Sequence, residues 1–437
     1  MLNGILWSAY ATVRRFRTYG RELDNFSRLP SDAAKNQLGA RLLAQLQYFG
    51  RRADALPEWR EASRVRTVDD LWQIWPSLPI LTKRDLQTRF LPSEMQASFG
   101  LVGIASMTGG STGEPTPYFH DVPMLRAAAA TRWYCRRQMG WTPGMPTLGV
   151  WGSERDIGKT YSRRSRISAR FRNEQMVASF GVNEQTVDKV LDFVREHPRA
   201  ALYGFSSLLE YVARSVVERG EAIHGRVRAA WNGGEMLYPS QVEVFERAFG
   251  VPVLNLYGGR ELSAMAYQAQ SGGSLAVLRP LLMLEIVDEQ GRVVQPGESG
   301  RLVWTSTICR GTPFMRFDIG DLGCADEQSR DACGIRALTR LDGRHAGLLR
   351  LPSGKVINNL FWNHLFKDFP EVQQFQVIAE RDEIRVLLKG RGFAADRERN
   401  LRSILAKTLE TLNFTITWVD HFVLTPQGKL VQVLKRA

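Results

Sequence analysis

Cysteine is scarce in this 437-residue chain: four residues, Cys135, Cys309, Cys324 and Cys333, with no Cys-x-x-Cys pair. That excludes a disulfide scaffold and fits free thiols in a reducing, cytoplasmic setting. The spacing of the last three is too irregular to favour a zinc site. Long apolar runs are also missing, so a bilayer span is not expected. Met1 to Gly20 places Leu2, Ile5, Leu6, Tyr10 and Val13 at helical spacing. It lacks the solid apolar block of a signal peptide, and we expect a helix packed on the main body rather than one lying on a membrane. No internal repeat or low-complexity segment is present. Zinc-finger, RNA-recognition and basic heptad patterns are absent too, and the basic residues are scattered. The net charge of +13 therefore points to small acidic partners or an acidic protein more than to nucleic acid, which is not expected as a partner.

The densest local signal is Thr108-Gly109-Gly110-Ser111-Thr112-Gly113-Glu114-Pro115. Glycines let backbone N–H groups converge on an anion, and the hydroxyls add donors for phosphate oxygens. A Walker A loop would end in Gly-Lys-Ser/Thr; here Glu114 follows Gly113. A phosphate cradle without lysine must take its positive charge from a metal ion or from basic residues elsewhere.

The length predicts two or more domains. The first hundred residues read as mostly helical, with Ala33–Phe49 and Val68–Trp75 as helices and Thr82 as an N-cap answered by Asp85. Beyond the glycine loop, segments alternate. Pro123–Met139, Asn183–Glu196, Ser206–Arg219 and Ser240–Phe249 read as helices. Thr147–Trp151, Ala201–Tyr203, Val227–Asn232 and Val253–Tyr257 read as strands. This predicts an α/β core with a largely parallel sheet covered on both faces. Leu282–Asp288 and Arg301–Thr305 suggest an added antiparallel sheet. A small α+β unit follows from about Gly343, with strands at Val372–Ala379, Glu383–Leu388 and Thr415–Val419 and a helix at Arg397–Leu412. The expected boundary separates residues 1–342 from 343–437.

Four further segments carry candidate chemistry. Trp231-Asn232-Gly233-Gly234-Glu235 lies at a strand end, where α/β sheets bind ligands; it reads either as a seat for a flat ring or as a plain tight turn. Asn255-Leu256-Tyr257-Gly258-Gly259-Arg260-Glu261 offers a stacking ring, close backbone approach and a carboxylate. Glu261 either holds a magnesium ion or caps a following helix. Asp321, after a glycine turn in Phe317-Asp318-Ile319-Gly320-Asp321, either accepts ribose hydroxyls or is structural. In Asp342-Gly343-Arg344-His345, Arg344 is within reach of nucleotide oxygens.

In this order the segments resemble the adenylate-forming superfamily: acyl-CoA synthetases, peptide-synthetase adenylation domains and luciferases. The likeness is nearest the compact phenylacetate–CoA ligase and capsular-polysaccharide-type branch and runs from about Leu78 to the C-terminus. It implies a large N-terminal domain of mixed, largely parallel sheets plus a small mobile α+β C-terminal domain. It implies ATP and Mg²⁺, a carboxylic acid substrate, and an acceptor. That acceptor is coenzyme A, the phosphopantetheine of an acyl carrier protein, or an amine. Thr108, Gly109, Gly110, Ser111, Thr112 and Gly113 would meet the phosphates, Thr108 with a catalytic part. Gly233, Gly234 and Glu235 would lie beside adenine, Tyr257 and Gly258 against its face, Asp321 on the ribose and Arg344 nearby, with Glu261 on the metal. Thr425-Pro426-Gln427-Gly428-Lys429-Leu430 resembles the family's Pro-x-x-Gly-Lys segment. Lys429 would thus be the catalytic cation that offsets the repulsion between a carboxylate and the α-phosphate. Without the upstream segments it would read as a surface lysine in a turn. Two departures stand out. Ala346 replaces the usual acidic hinge residue, and Asp331 with Cys333-Gly334 replaces Cys-x-Cys-Gly. Trp151, Tyr203, Phe205 and Met236 are candidate lining for the acid, whose identity the sequence leaves open. A non-catalytic scaffold of the same fold is the remaining alternative.

Overall fold

The computed structural model describes residues 16–435 apart from 53, 94–98, 109–114, 152–168, 171, 179–183, 222, 345–348, 352–355, 358–360, 363–364, 367, 381–382, 411–412 and 425–429. The chain opens with helices α1 (Phe16–Ser27), α2 (Ser31–Gly50), α3 (Pro57–Ala62), α4 (Val68–Ile74) and α5 (Lys83–Thr88). In α2, Leu38, Leu42, Leu46 and Phe49 recur at helical spacing and are all buried, which is why this helix packs through one face. The Thr82–Asp85 pairing forms a reciprocal capping box at the start of α5, satisfying N–H groups that the first turn otherwise leaves without partners.

A two-stranded hairpin follows, β1 (Gly103–Met107) and β2 (Pro117–Asp121), then α6 (Val122–Gln138). The main sheet is built from β3 (Thr147–Trp151), β4 (Glu174–Ala178), β5 (Ala200–Gly204), β6 (Val227–Gly233), β7 (Val253–Gly259), β8 (Ser263–Gln268), β9 (Leu275–Val277) and a short strand, Ala337–Leu338. Its order is Ala337–Leu338, β9, β8, β7, β6, β5, β3, β4. The strands from β7 to β4 are parallel, and the three at the other edge are antiparallel. The central parallel strands β3 and β5 bury both faces. In β5, Ala200 and Leu202 join the core under α7 (Glu184–Glu196), α8 (Ser206–Glu218) and α9 (Pro239–Phe249). Ala201 and Tyr203 join the opposite core, which includes Trp133 and Tyr134 of α6. That two-sided burial explains why these strands read as apolar runs rather than as alternating ones.

A second sheet, antiparallel, runs β10 (Leu282–Val287), β11 (Ser299–Ser306), β12 (Phe317–Cys324), β13 (Arg340–Arg344). Arg316 at its margin is 2% exposed and pairs with buried Glu285. It also donates to the carbonyls of Pro76 and Leu78, so one guanidinium ties the N-terminal helices to this sheet. A third hydrophobic core gathers residues between Leu349 and Val433. It is formed by β14 (Val372–Ala379), β15 (Glu383–Gly390), α10 (Ala395–Leu409), β16 (Asn413–Trp418) and β17 (Val433–Lys435), in strand order β16, β15, β14, β17.

Candidate active site

The parallel strands β6 and β7 end side by side, with Asn232 in register with Asn255 and Gly233 with Leu256. Beyond β7 the chain turns back at once, Gly259 pairing with Ser263 and Gly258 with Ala264. No helix follows Glu261, so the helix-cap alternative for that residue fails. A Cβ at Gly258 would lie 2.2 Å from the Ser263 carbonyl oxygen, and one at Gly259 would lie 2.8 Å from Glu261 Oε2. Gly258 is therefore required by the return of the chain, whereas Gly259 leaves room for the movable Glu261 carboxylate. Glu261 is buried, and His120 of β2 bonds its carbonyl through Nε2 at 2.6 Å. Burial pushes the His120 imidazole below its ordinary value, which favours a neutral ring donating that proton. Among the described residues the Glu261 carboxylate has no ion-pair partner. A buried carboxylate without a cation suits a hard metal ion. No three His, Cys, Asp or Glu side chains cluster among the described residues. A metal at Glu261 would therefore lean on substrate oxygens and water, as magnesium commonly does.

The Tyr257 hydroxyl donates to Asp321 Oδ2 at 2.7 Å, joining the two sheets. The Tyr257 ring tilts against Trp304 of β11, centroids 6.0 Å apart. Asp321 lies within strand β12, directly after the glycine turn read from the sequence. The glycine signal is physical: Gly320 has φ +83°, and its N–H donates to Asp318 Oδ1 at 2.8 Å. This local kink re-aims the strand at Asp321. Directly across the ladder, Asp321 pairs in register with Arg344, whose side chain lies outside the described set.

The glycine loop connects β1 to β2. Residues 109–113 lie outside the described residues, but their neck is defined. Thr108 N–H donates to the Thr116 carbonyl at 2.9 Å, and Thr116 N–H donates to Thr108 Oγ1 at 2.9 Å. The Thr108 hydroxyl oxygen thus latches the neck while its proton stays available. The buried polar atoms that lack partners among the described residues include Thr116 Oγ1 here and Asn232 Oδ1 at the end of β6. The Asn232 amide oxygen beside the glycine turn suits a donor such as the amino group of a nucleotide base, and the Thr116 hydroxyl can donate to a phosphate oxygen.

Gly234, at φ +79°, turns the chain after β6. Glu235, expected beside adenine, uses both carboxylate oxygens on backbone. Oε2 accepts from Ser207 N–H at 2.9 Å, and Oε1 accepts from Leu430 N–H at 3.1 Å. Leu430 follows Lys429, which itself lies outside the described residues. Leu424 and Leu430 form an antiparallel bridge at the base of that segment.

The sequence carries no sign of one half-buried cluster. Glu174 accepts from Tyr203 at 2.7 Å, Arg172 at 2.8 Å and Arg136 at 3.2 Å. Burial alone would raise the Glu174 carboxyl, but the Arg136 and Arg172 cations outweigh it and hold the group well below its ordinary range. Tyr203 stacks on Trp231, centroids 5.5 Å apart and planes 3° apart, and Arg136 lies over both rings. Of the candidate lining, Trp151 packs at 4.2 Å on Phe205. Phe205 is fully buried in the helix-side core.

Residues 107–309 match the family described as AMP-binding enzyme. A curated relative, protein CapK of Staphylococcus aureus, is 22% identical over 247 residues, or 56% of this chain; the match spans 52% of that protein, about half its length. A crystal structure of 2-hydroxyisobutyryl-CoA ligase in the postadenylation state, with an acyl-AMP ligand, superposes with TM-score 0.68 at 17% identity. It covers 93% of this chain and 90% of that one. The same ligase with 2-HIB-AMP and CoA in the thioesterification state gives 0.54. ATP-bound MatB from Rhodopseudomonas palustris gives 0.55 at 16% identity, over 74% of this chain and 65% of that one. Residues 107–309, which include the glycine loop, the Glu235 turn and Glu261, are thus similar to the AMP-binding enzyme family, and the chain shares the fold of 2-hydroxyisobutyryl-CoA ligase.

Proposed function

We propose that this protein activates a carboxylic acid with ATP and passes the acyl group to a thiol, coenzyme A in the first instance. The observation that carries the reading is the Tyr257–Asp321 hydrogen bond, with Tyr257 four residues before Glu261 on the same turn-back of the chain, a buried carboxylate with no ion-pair partner among the described residues. This supports a nucleotide reading, in which the Tyr257 ring would offer a face, Asp321 would accept ribose hydroxyls and Glu261 would take a cation. In the first step a carboxylate oxygen attacks the α-phosphorus, the bond to the β-phosphate oxygen breaks, and pyrophosphate leaves. In the second step a thiol sulfur attacks the acyl carbon, the bond to the AMP oxygen breaks, and the thiol proton passes to solvent. No enzyme nucleophile is needed, because positioning and fixed charge supply the catalysis.

The roles follow from charge. Thr108 and residues 109–113 would hold phosphate oxygens through backbone N–H groups and hydroxyls. Asp321, oriented by Tyr257, would accept the ribose hydroxyls, and Arg344 would reach a neighbouring oxygen. Glu261 would hold magnesium, which when bound neutralises phosphate charge. Lys429 would stand between the attacking carboxylate and the α-phosphate, offsetting the repulsion of two anions. The small domain would then rotate to admit the acceptor. The test is pyrophosphate release over a panel of aryl, fatty and amino acids, with and without coenzyme A. Release that depends on one acid class and thioester formation support the reading. Loading of a carrier protein or amide formation would move the acceptor. Absence of ATP binding by calorimetry would leave a non-catalytic scaffold.

A further inference from the structure

We propose that Glu235 is a positioning residue that clasps the lysine-bearing segment of the small domain in the orientation for acid activation. This rests on the adenylation reading. The large domain contributes a carboxylate fixed on every side that the structure describes. The Asn232 amide donates to the Glu235 carbonyl at 2.9 Å and Ser207 N–H donates to Oε2 at 2.9 Å, while the Ser206 hydroxyl, 3.3 Å from Oε2, gives its proton to the Met236 carbonyl at 2.6 Å. The first turn of α8 therefore holds one oxygen, with its N–H dipoles favouring the negative charge. The second oxygen, Oε1, reaches Leu430 N–H across the domain boundary at 3.1 Å.

The small domain contributes an equally defined base. Gln376 of β14 has no solvent exposure. Its amide donates to the carbonyls of Val423 at 2.8 Å and Val431 at 3.0 Å, and its oxygen accepts from Val423 N–H at 3.0 Å. Both ends of the segment are thus stapled within their own domain, and Leu424 and Leu430 bridge across it. The outward N–H of Leu430, one residue after Lys429, meets Glu235. Other cross-domain contacts, Gln374 Nε2 to Glu210 Oε2 at 3.3 Å and Lys389 over the Tyr211 ring at 5.9 Å, fall on α8 but away from this segment. They hold the domain, whereas the Glu235 bond fixes the register of the residue beside the cation. Any rotation that carries Leu430 from this seat breaks the bond, so it stabilises one orientation only.

The experiment uses the full-length chain with Glu235→Gln, Glu235→Ala, Lys429→Ala and the double variant Glu235→Ala/Lys429→Ala. Loss of one charge-assisted hydrogen bond at a positioning site should lower kcat for acid-dependent ATP–pyrophosphate exchange by about ten- to hundredfold. The KM for ATP should change by less than about threefold, as expected when an interaction is made only on the way to the transition state. Thioester formation from supplied acyl-adenylate should fall far less than exchange. In the Lys429→Ala background, Glu235→Ala should add under about threefold, since both act through the same cation. Amide hydrogen exchange at Leu430 in the substrate-free protein should accelerate about tenfold or more in Glu235→Ala. Equal losses in both half-reactions, multiplicative losses with Lys429→Ala, or an unchanged Leu430 exchange rate would each overturn the clasp. A wild-type chain that catalyses no exchange with any acid would sink the adenylation reading instead. The Leu430 measurement would still decide the contact.

Discussion

Replacing Tyr257 by phenylalanine removes one oxygen and leaves the ring, so it isolates the bond to Asp321. A hydrogen bond to a charged group contributes about 1.5–3 kcal/mol when fully buried. Tyr257 is only partly buried, so we take about 1–1.5 kcal/mol, or roughly five- to tenfold in affinity. The loss should appear in binding of AMP, whose ribose hydroxyls would share the Asp321 carboxylate. Asp321→Asn keeps the shape and removes the charge that two ribose hydroxyls would meet, so it should cost more, about thirtyfold or beyond. Tyr257→Ala also removes the stacking face and should fall between the two or below both. Calorimetric titration with AMP measures all three without knowledge of the acid. Wild-type affinity in both Tyr257→Phe and Asp321→Asn would refute the placement of the nucleotide.

Gly259→Ala should fold with near-wild-type stability, because its new Cβ meets Ile319 Cδ1 at an ordinary 3.4 Å and presses only on the movable end of Glu261, at 2.8 Å; magnesium-dependent ATP affinity should nonetheless drop several-fold, and unchanged affinity would remove Glu261 from the metal. Glu174→Gln should destabilise the chain by about 3 kcal/mol, since Arg136 is left desolvated without its counter-charge; denaturant unfolding followed at Trp231 reads this. The same carboxyl gives a pH signature. Its folded value lies below the ordinary 4.5, so its stabilisation is present above pH 4.5 and declines as the pH falls through the lowered value. Acid titration of stability should therefore be shallower in Glu174→Gln than in wild type. Arg316→Met should unfold more readily by about 3–5 kcal/mol, because Glu285 would remain buried without its partner; Arg316→Met with Glu285→Met together should recover much of that loss.

Elements governed by local chemistry were legible in the sequence. The capping box at Thr82, the strand Thr147–Trp151 and helices α7 to α9 follow from capping, apolar runs and helical periodicity. The β1–β2 hairpin escaped notice because Gly103-Ile104-Ala105-Ser106-Met107 shows no clear alternation, and Ile104 and Met107 are in fact exposed. Asp321 read as following a glycine turn because Gly320 does turn, and the ladder continues through it. The segments around Tyr257, Glu261 and Asp321 could be found by composition, but not their contacts. Tyr257 and Asp321 are 64 positions apart, and Glu235 and Leu430 are 195 apart. Glu174, Arg136 and Tyr203 meet only after three strands and a helix assemble, and no local pattern announces such a cluster.

The most direct measurement is acid-dependent ATP–pyrophosphate exchange in the wild-type chain and in Lys429→Ala, with ATP affinity determined alongside. Exchange that collapses by about a hundredfold or more while ATP affinity stays within a few-fold is the predicted result. Undiminished exchange in Lys429→Ala would contradict the account.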